Sequence, residues 1–160
     1  MLVKRDICVS EKDLYICVTY IPPEDSTVYT TVYSDLYDFD FFEQISDDVR
    51  SQRDQGDVFI TGDSNIRTSD RPDYVENINL QRYVTKPGIE EYIVPSRKPQ
   101  DKHINNFGQK LLSFCKEHNL SIVNGRLDDG KCTCSTVNRR RSGCSLVDYL
   151  IMNHDLFLFH

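Results

Sequence analysis

Short apolar runs separated by polar turns open the chain. Ile7–Val9 and Leu14–Tyr20 flank the polar stretch Ser10–Asp13, a pattern that predicts two strands joined as a hairpin. Within the second run, Leu14–Val18 is almost continuously apolar, so we expect these residues to be buried on both faces of a sheet. Two prolines follow Ile21 and should end the strand there, because proline cannot donate to a strand ladder.

Two longer segments carry the period of an amphipathic helix. In the first, which covers Asp35–Arg53, apolar side chains recur at i, i+3 and i+7. They are Phe42, Ile45 and Val49. The second covers Asn106–Asn119, and four of its side chains are expected to be buried: Phe107, Leu111, Leu112 and Cys115. The spacing predicts two helices, each with one face on a core.

Four further strands complete the predicted order of elements. They are Asp57–Thr61, Leu120–Val123, Lys131–Ser135 and Ser145–Met152. The segment Ser64–His103 is long, polar and irregular, which is typical of loops that are either functional or partly disordered. Strands that alternate with two helices indicate one mixed α/β domain of stacked layers over residues 1–160.

The motif Gly62-Asp63-Ser64-Asn65 directly follows one of these strands. Gly62 permits a sharp bend. Asp63 then places a carboxylate at the strand's exit, where a metal ion or water can reach it. The amide of Asn65 can bind a phosphate oxygen or that carboxylate. A plain turn is the alternative, because Asp and Asn are common turn formers.

Composition and charge narrow the class of protein. The net charge of −6 does not favour general nucleic-acid binding, although clustered positive charge could bind locally. No apolar run reaches the length of a membrane span, and the N-terminus lacks a signal-peptide pattern. We therefore expect an intracellular protein in a reducing compartment, either nuclear or cytoplasmic.

The six cysteines are accordingly expected to be reduced thiols rather than a disulfide framework. They are Cys8, Cys17, Cys115, Cys132, Cys134 and Cys144. A structural zinc site built on the last three is the alternative, although such sites usually take four ligands.

Four segments occur in an informative order. They are Val18–Pro22, Ile60–Asn65, Asn106–Arg126 and Ser145–Tyr149. In this order they resemble the endonuclease/exonuclease/phosphatase superfamily, and most closely the endonuclease domain of animal non-LTR retrotransposons. The resemblance implies a DNase I-like α/β sandwich of four layers, with two mixed sheets inside and helices outside. This chain would hold its central and C-terminal portion, truncated at both ends.

The resemblance also implies roles in Mg²⁺-dependent hydrolysis of phosphate esters. Asp63 would activate the attacking water, and Asn65 would bind the scissile phosphate. Tyr20 would stabilise charge that builds on the phosphate in the transition state. Thr133 matches a phosphate-contacting position, and Asp148 would hold a histidine in its working tautomer. Ordinary structural roles, such as a strand-end aromatic for Tyr20 and a turn cap for Asp148, are the alternatives.

Two parts of the family's site lack a match in this chain. The metal-holding Asn and Glu lie well upstream of the Tyr20 motif, where this chain offers only Glu11 and Asp13 in a turn. The terminal Asp-His pair is also unmatched, since His154-Asp155 is reversed and too close to Asp148. The Mg²⁺ ligands are therefore unknown. Because a metal contributes several kcal/mol to catalysis, we expect little or no turnover by the isolated chain.

The leading hypothesis is a Mg²⁺-dependent DNA endonuclease or phosphodiesterase domain, a hydrolase of the retrotransposon type that accompanies a reverse transcriptase. The alternative is a non-catalytic, transposon-derived remnant that binds nucleic acid or a protein partner. A phosphatase for a lipid or inositol phosphate is a third hypothesis. The sequence indicates no membrane contact and no small-molecule cofactor, and it leaves the oligomeric state open.

Three consecutive arginines, Arg139, Arg140 and Arg141, match a hairpin that approaches DNA in the retrotransposon enzymes. A solvated hairpin tip is the alternative. If the hairpin binds DNA, replacing all three by alanine should weaken binding and reduce the slope of log affinity against log salt, because each phosphate contact releases counterions. Binding titrations at several salt concentrations check this, and an unchanged slope would remove the arginines from the interface.

Overall fold

A computed structural model describes residues 2–5, 12–31, 40–75, 95–127, 130–138, 141–153 and 156 of the chain. These ranges contain seven strands and three helices. The strands are β1 (Leu2–Arg5), β2 (Asp13–Tyr20), β3 (Gly56–Asp63), β4 (Leu120–Ile122), β5 (Cys134–Asn138), β6 (Arg141–Ser145) and β7 (Asp148–Asn153). The helices are α1 (Val28–Thr31), α2 (Phe41–Gln52) and α3 (Asn106–His118).

Five strands form one mixed sheet in the order β1-β2-β3-β7-β4. β2 pairs antiparallel with β1 and parallel with β3, while β7 lies antiparallel between β3 and β4. The parallel step requires a crossover, and α2 lies on that connection. β5 and β6 form a separate two-stranded hairpin. The mixed α/β class predicted from the sequence is confirmed.

Helices α2 and α3 cover one face of the five-stranded sheet. Ile45 and Val49 of α2 share a buried cluster with Leu111 and Cys115 of α3, as their spacing predicts. The sheet contributes Cys17, Val58, Ile60, Tyr149 and Ile151 to the same cluster. Each helix begins at a side-chain cap, which satisfies backbone N–H groups at its first turn. None of the helices in the described ranges is long and apolar enough to cross a membrane.

The opposite face of the sheet is only partly covered. Val18 and Tyr20 of β2 are 67% and 66% exposed. Farther along this face, Phe59 and Leu150 pack beside buried Met152. The expectation that Leu14–Val18 is buried on both faces was therefore wrong. A strand that lies parallel to one neighbour need not have layers on both sides, and only one face of β2 meets the helices.

A buried ion pair anchors the described part of the long segment that follows β3. Asp73 and Arg126 both have 0% side-chain exposure, and the Arg126 Nη2 donates to Asp73 Oδ1 at 2.5 Å. Asp73 Oδ2 also accepts from the Ile122 amide at 2.7 Å. Burial opposes ionisation of Asp73, but the hydrogen bonds and charge of Arg126 outweigh it and lower the pKa of the carboxyl. The segment is thus fastened to the end of β4.

A second ion pair fastens the returning part of the same segment. Arg67 donates to both carboxylate oxygens of Asp101, at 2.7 and 2.6 Å. Asp101 is buried, and its Oδ2 also accepts from the Leu146 amide just before β7. Sequence alone predicts only an irregular loop here, because ion pairs between distant residues leave no periodic signal.

The hairpin β5–β6 corrects the expectation of reduced cysteines throughout. Cys132 and Cys144, with Cα atoms 5.6 Å apart, form a disulfide at its base. Cys17 and Cys115 are free and buried, and Cys134 is free and exposed. Because two of the three cysteines proposed for a zinc site form this disulfide, they cannot also bind zinc as thiolates. Antiparallel pairing brought together two thiols that their sequence spacing did not mark as partners.

The observed bounds of some elements differ from the predicted ones, because polar residues form strands or because turns lie close by. The prediction had a loop from Thr136 to Gly143, but its ends belong to β5 and β6. The first strand is Leu2–Arg5, while the predicted Ile7–Val9 lies outside the described residues. Helix α2 begins at Phe41 rather than Asp35, and residues 32–39 also lie outside.

Replacing Asp73 by asparagine should lower the free energy of unfolding by about 3–5 kcal/mol, because Arg126 would remain buried without its counter-charge. The folded-state pKa of Asp73 is lowered, so its contribution is complete above the ordinary value of 3.8 and is lost as pH falls through the folded pKa. Denaturant titrations from about pH 2 to pH 7 should show a larger acid-dependent loss in the unchanged chain than in Asp73→Asn, which keeps only the contribution of other carboxylates such as Asp101.

Asp47→Asn is the matched control for this charge removal. Asp47 is 79% exposed at the side chain and pairs with Arg50 at 3.1 Å on the surface of α2. Its replacement should change stability by no more than about 0.5 kcal/mol. Equal effects of the two substitutions would show that the buried pair does not anchor the segment.

Candidate active site

Tyr20, Asp63 and Asp148 lie in one row across three adjacent strands. The pairing of β2 with β3 sets Tyr20 opposite Asp63, and the pairing of β3 with β7 sets Asp63 opposite Asp148. Neighbouring strands are about 4.8 Å apart, so the row spans about 10 Å. We call these three residues the strand-end row. Residues separated by 43 and 85 positions in the sequence are thereby adjacent at one end of the sheet.

The strand-end row lies on the face turned away from the helices. Cys17, Ile60 and Ile151, each three positions from the row in its own strand, are buried in the helix-side core. Side chains alternate between the faces of a strand, so an odd separation places the row on the other face. Tyr20 and Asp148 are accordingly exposed, and Asp63 is half-buried. A polymeric substrate can reach all three side chains.

The bend after β3 is built from backbone conformations that suit its residues. Gly62 has φ +139°, and a Cβ there would lie 1.9 Å from the Thr19 carbonyl oxygen, so only glycine fits against β2. Asn65 has φ +49°, a left-handed conformation that asparagine tolerates. The Asn65 amide N–H donates to Asp63 Oδ1 at 3.1 Å, and its Nδ2 donates to the Ile21 carbonyl at 2.9 Å. The backbone after β3 therefore does form a turn, the alternative considered for this motif, and the Asp63 carboxylate still lies at the strand's exit.

Two hydroxyl groups hold the peptide that precedes β7. Ser64 donates to the Val147 carbonyl from both its backbone N and its Oγ, at 2.9 and 2.8 Å. The Thr133 Oγ1 accepts from the amides of Val147 and Asp148 at 3.1 and 3.2 Å. Ser64 is buried, and its hydroxyl links the residue after β3 to the residue before β7. Thr133 lies beside Asp148 and can still donate its own hydroxyl proton.

Asn124 is a positioning residue to which the sequence reasoning assigned no role. Its Nδ2 donates to the Asp148 carbonyl at 3.2 Å, and its Oδ1 accepts from the Leu150 amide at 2.8 Å. β4 pairs only with residues 151–153 of β7, and the Asn124 side chain continues that pairing at Asp148 and Leu150. The sequence signal for this residue is the Asn124-Gly125 pair directly after a strand, a pair that by itself predicts only a turn.

The oxygen donors of the site come from Asp63, Asp148 and Asn65. Asp13 begins β2, seven residues from Tyr20, and therefore lies about 23 Å along the strand from the strand-end row. Glu11 lies outside the described residues. Within the described part of the chain, no group of three His, Cys, Asp or Glu side chains could hold a metal ion. The available donors suit Mg²⁺ by type, but in number they supply only part of its oxygen shell.

Comparison with solved structures identifies the architecture. The chain matches the endonuclease domain of TRAS1, a telomere-specific non-LTR retrotransposon, with a TM-score of 0.51 and 16% sequence identity. The chain has the fold of a retrotransposon endonuclease domain. The match covers 98% of this chain and 51% of the other, so this chain spans about half the length of its structural neighbour. No protein-family model and no curated protein matches.

The resemblance inferred from the sequence is confirmed at the level of this endonuclease fold. The hairpin predicted to approach DNA is present as β5–β6, and its base adjoins the site through Thr133. Arg139 and Arg140 lie outside the described residues, and Arg141 begins β6 opposite Asn138. The DNA-binding role of the three arginines stays a prediction, as do the individual catalytic roles.

Thr133→Val tests whether the Thr133 hydroxyl holds the peptide before β7 in this endonuclease fold. Valine keeps the shape of threonine but removes the acceptor of two amides, so the free energy of unfolding should fall by about 1 kcal/mol. Hydrogen exchange at the Val147 and Asp148 amides should become faster. Thr133→Ser is the control, because it keeps the hydroxyl and should preserve slow exchange. Unchanged exchange in Thr133→Val would contradict the assignment.

Proposed function

We propose that this chain forms part of a DNA endonuclease site of the retrotransposon type, in which the strand-end row and Asn65 receive a phosphate of the DNA backbone. The observation that carries this proposal is the strand register, which gathers Tyr20, Asp63 and Asp148 on one exposed face. Two carboxylates beside a phenol and an amide suit hydrolysis of a phosphate ester, which needs a base, phosphate-binding donors and charge stabilisation.

Each side chain has a role that follows from its chemistry. Asp63, with one carboxylate oxygen bound by the Asn65 amide, would orient the attacking water and accept its proton. The Tyr20 phenol is exposed and would donate a hydrogen bond to a phosphate oxygen as negative charge builds there. The backbone N–H of Asn65 holds Asp63. The side-chain amide of Asn65, which donates to the Ile21 carbonyl, would bind the phosphate with its second N–H.

Asp148 would orient an imidazole, as carboxylates do for catalytic histidines. His118 cannot be that imidazole, because it is buried between α2 and α3 with its Nε2 3.0 Å from Ser46 Oγ, on the helix side of the sheet. Burial also lowers the pKa of His118, which keeps it neutral. The imidazole that Asp148 would orient is therefore not the one buried between α2 and α3.

A bound Mg²⁺ would neutralise charge on the phosphate. Asp63 and Asn65 offer it oxygen donors, while Asp148 serves the imidazole. Since the described residues supply only part of a ligand set, we propose that the isolated chain binds DNA with little or no turnover. Binding would be stronger in Mg²⁺, because the cation screens the repulsion between the two carboxylates and the phosphate.

The Mg²⁺ dependence of DNA binding tests this function. Affinity for a short labelled duplex should rise with Mg²⁺ in the unchanged chain, and Asp63→Ala should lose most of that rise. Asp57→Ala is the matched control: Asp57 is in the same strand and on the same face, but about 20 Å from Asp63. Fluorescence anisotropy at constant ionic strength measures all three proteins. An equal Mg²⁺ response in both variants would contradict the proposed site.

Plasmid nicking distinguishes the enzyme from the non-catalytic alternative, a remnant that binds nucleic acid or a protein partner. The incomplete ligand set of the described residues favours that alternative for the isolated chain. Nicking that requires Mg²⁺ and is lost in Asp63→Ala but not in Asp57→Ala would establish a working endonuclease. Mg²⁺-dependent binding without nicking is the result we expect.

A further inference from the structure

The disulfide at the base of the β5–β6 hairpin brackets a residue of the site. Cys132 and Cys144 are joined across the hairpin, and Thr133 is the next residue after Cys132. The Thr133 amide donates to the Ser145 carbonyl at 3.0 Å, next to Cys144. Thr133 is therefore held against β6 by a covalent bond on one side and a hydrogen bond on the other.

The same threonine continues into the strand-end row. Its Oγ1 accepts from the Val147 and Asp148 amides, so the chain of contacts runs from the disulfide through Thr133 to Asp148. β5 begins only at Cys134, so regular strand pairing does not hold Thr133. Without the disulfide, the Thr133 segment would keep only these hydrogen bonds near the surface, where water competes with them.

The disulfide can be reached from solvent through a charged groove. Cys144 is exposed and lines a groove of about 430 Å³ together with Lys102 and His103. Arg67 and Asp101 also line it and are paired with each other. Lys102 is 60% exposed and pairs with exposed Asp70 at 3.0 Å, an arrangement that can open to an incoming carboxylate. A lysine ammonium group beside a disulfide attracts an anionic thiol and favours its thiolate form. A small thiol that carries carboxylates fits this groove.

We propose that Cys132–Cys144 is a thiol-exchange site for a small anionic thiol, and that its redox state sets how firmly Thr133 holds Asp148. The effect on DNA rests on the proposed function, whereas the exchange and the loosening of Asp148 do not. The oxidised chain holds Asp148 in line with Asp63 and binds DNA more tightly. The reduced chain releases the Thr133 segment and binds DNA more weakly.

The exchange is balanced by the thiol itself. A thiolate enters the groove and attacks the exposed Cys144 Sγ, which forms a mixed disulfide and releases Cys132 as a thiolate that takes up the proton lost by the attacking thiol. A second molecule of the small thiol then attacks the sulfur that the first one contributed to the mixed disulfide. This step frees Cys144, so two thiols become one small disulfide as the protein disulfide becomes two thiols.

Cys134 supplies an internal control. It is free and exposed, only two residues from Cys132, yet it pairs in register with Ser145, while Cys144 pairs with Ser135. Directly opposed residues share a face, so Cys134 and Cys144 point to opposite sides of the hairpin. Cys134→Ser therefore removes a neighbouring thiol without changing the disulfide or the groove.

The experiment treats the oxidised full chain with reduced glutathione and follows it by peptide mass spectrometry and hydrogen exchange. Glutathione should appear transiently on Cys144. Exchange of the Val147 and Asp148 amides should then become faster by about fivefold or more, the equivalent of one hydrogen bond. Cys132→Ser/Cys144→Ser should exchange rapidly with or without glutathione, and Cys134→Ser should respond like the unchanged chain. DNA affinity should fall by a similar factor on reduction.

The outcomes of this experiment either support or overturn the thiol-exchange site. Unchanged exchange at both amides after full reduction would overturn the inference, as would glutathione on Cys134 with none on Cys144. If the double variant does not fold, reduction of the unchanged chain gives the same comparison. Faster exchange in a chain that binds no DNA in either redox state would support the inference and contradict only the proposed function.

Discussion

The parallel pairing of β2 with β3 is the constraint on which the site depends. Because side chains alternate along a strand, a shift of one residue in this register would turn Asp63 towards the helices and separate it from Tyr20. The register is held by burial on the other face, where Val58 and Ile60 pack under α2 and α3. Gly62 adds a steric condition, since no side chain fits between it and the Thr19 carbonyl. The apolar core thus positions a polar site that it does not touch.

Polar contacts fix what strand pairing leaves free. In the described part of the segment after β3, Thr68 forms an isolated bridge with Ile104, and buried charges such as Asp73 with Arg126 fix its position. Near the site, hydroxyl groups take the place of buried charges, since Ser64 and Thr133 bind the peptide between β6 and β7 from two sides. The contacts of Ser64 and Thr133 are directional, and losing one costs about 1 kcal/mol, less than losing the buried ion pair. The stability of the domain and the alignment of the site are therefore separable.

The successes and errors of the sequence reasoning have identifiable causes. The helix predicted over Asn106–Asn119 is correct to within one residue, because its apolar period is local and strong. The Asp63 motif lies at a strand's exit, as predicted, and the matched fold supports the resemblance drawn from the ordered segments. The disulfide of Cys132 with Cys144 was missed because its partners meet only through hairpin pairing. The exposure of Val18 was missed because hydrophobicity does not reveal how many layers cover a strand.

The sequence by itself determined the secondary structure of the strongly periodic segments, the mixed α/β class, and the candidates Tyr20, Asp63 and Asp148. It could do so because turn chemistry, helical period and ordered motifs are properties of neighbouring residues. Only the tertiary structure decided that these three side chains share a face and form one row, and that a disulfide and two hydroxyls hold its edge. Those facts depend on strand order and register, which are set by contacts between residues far apart in the chain and are not written in any local pattern.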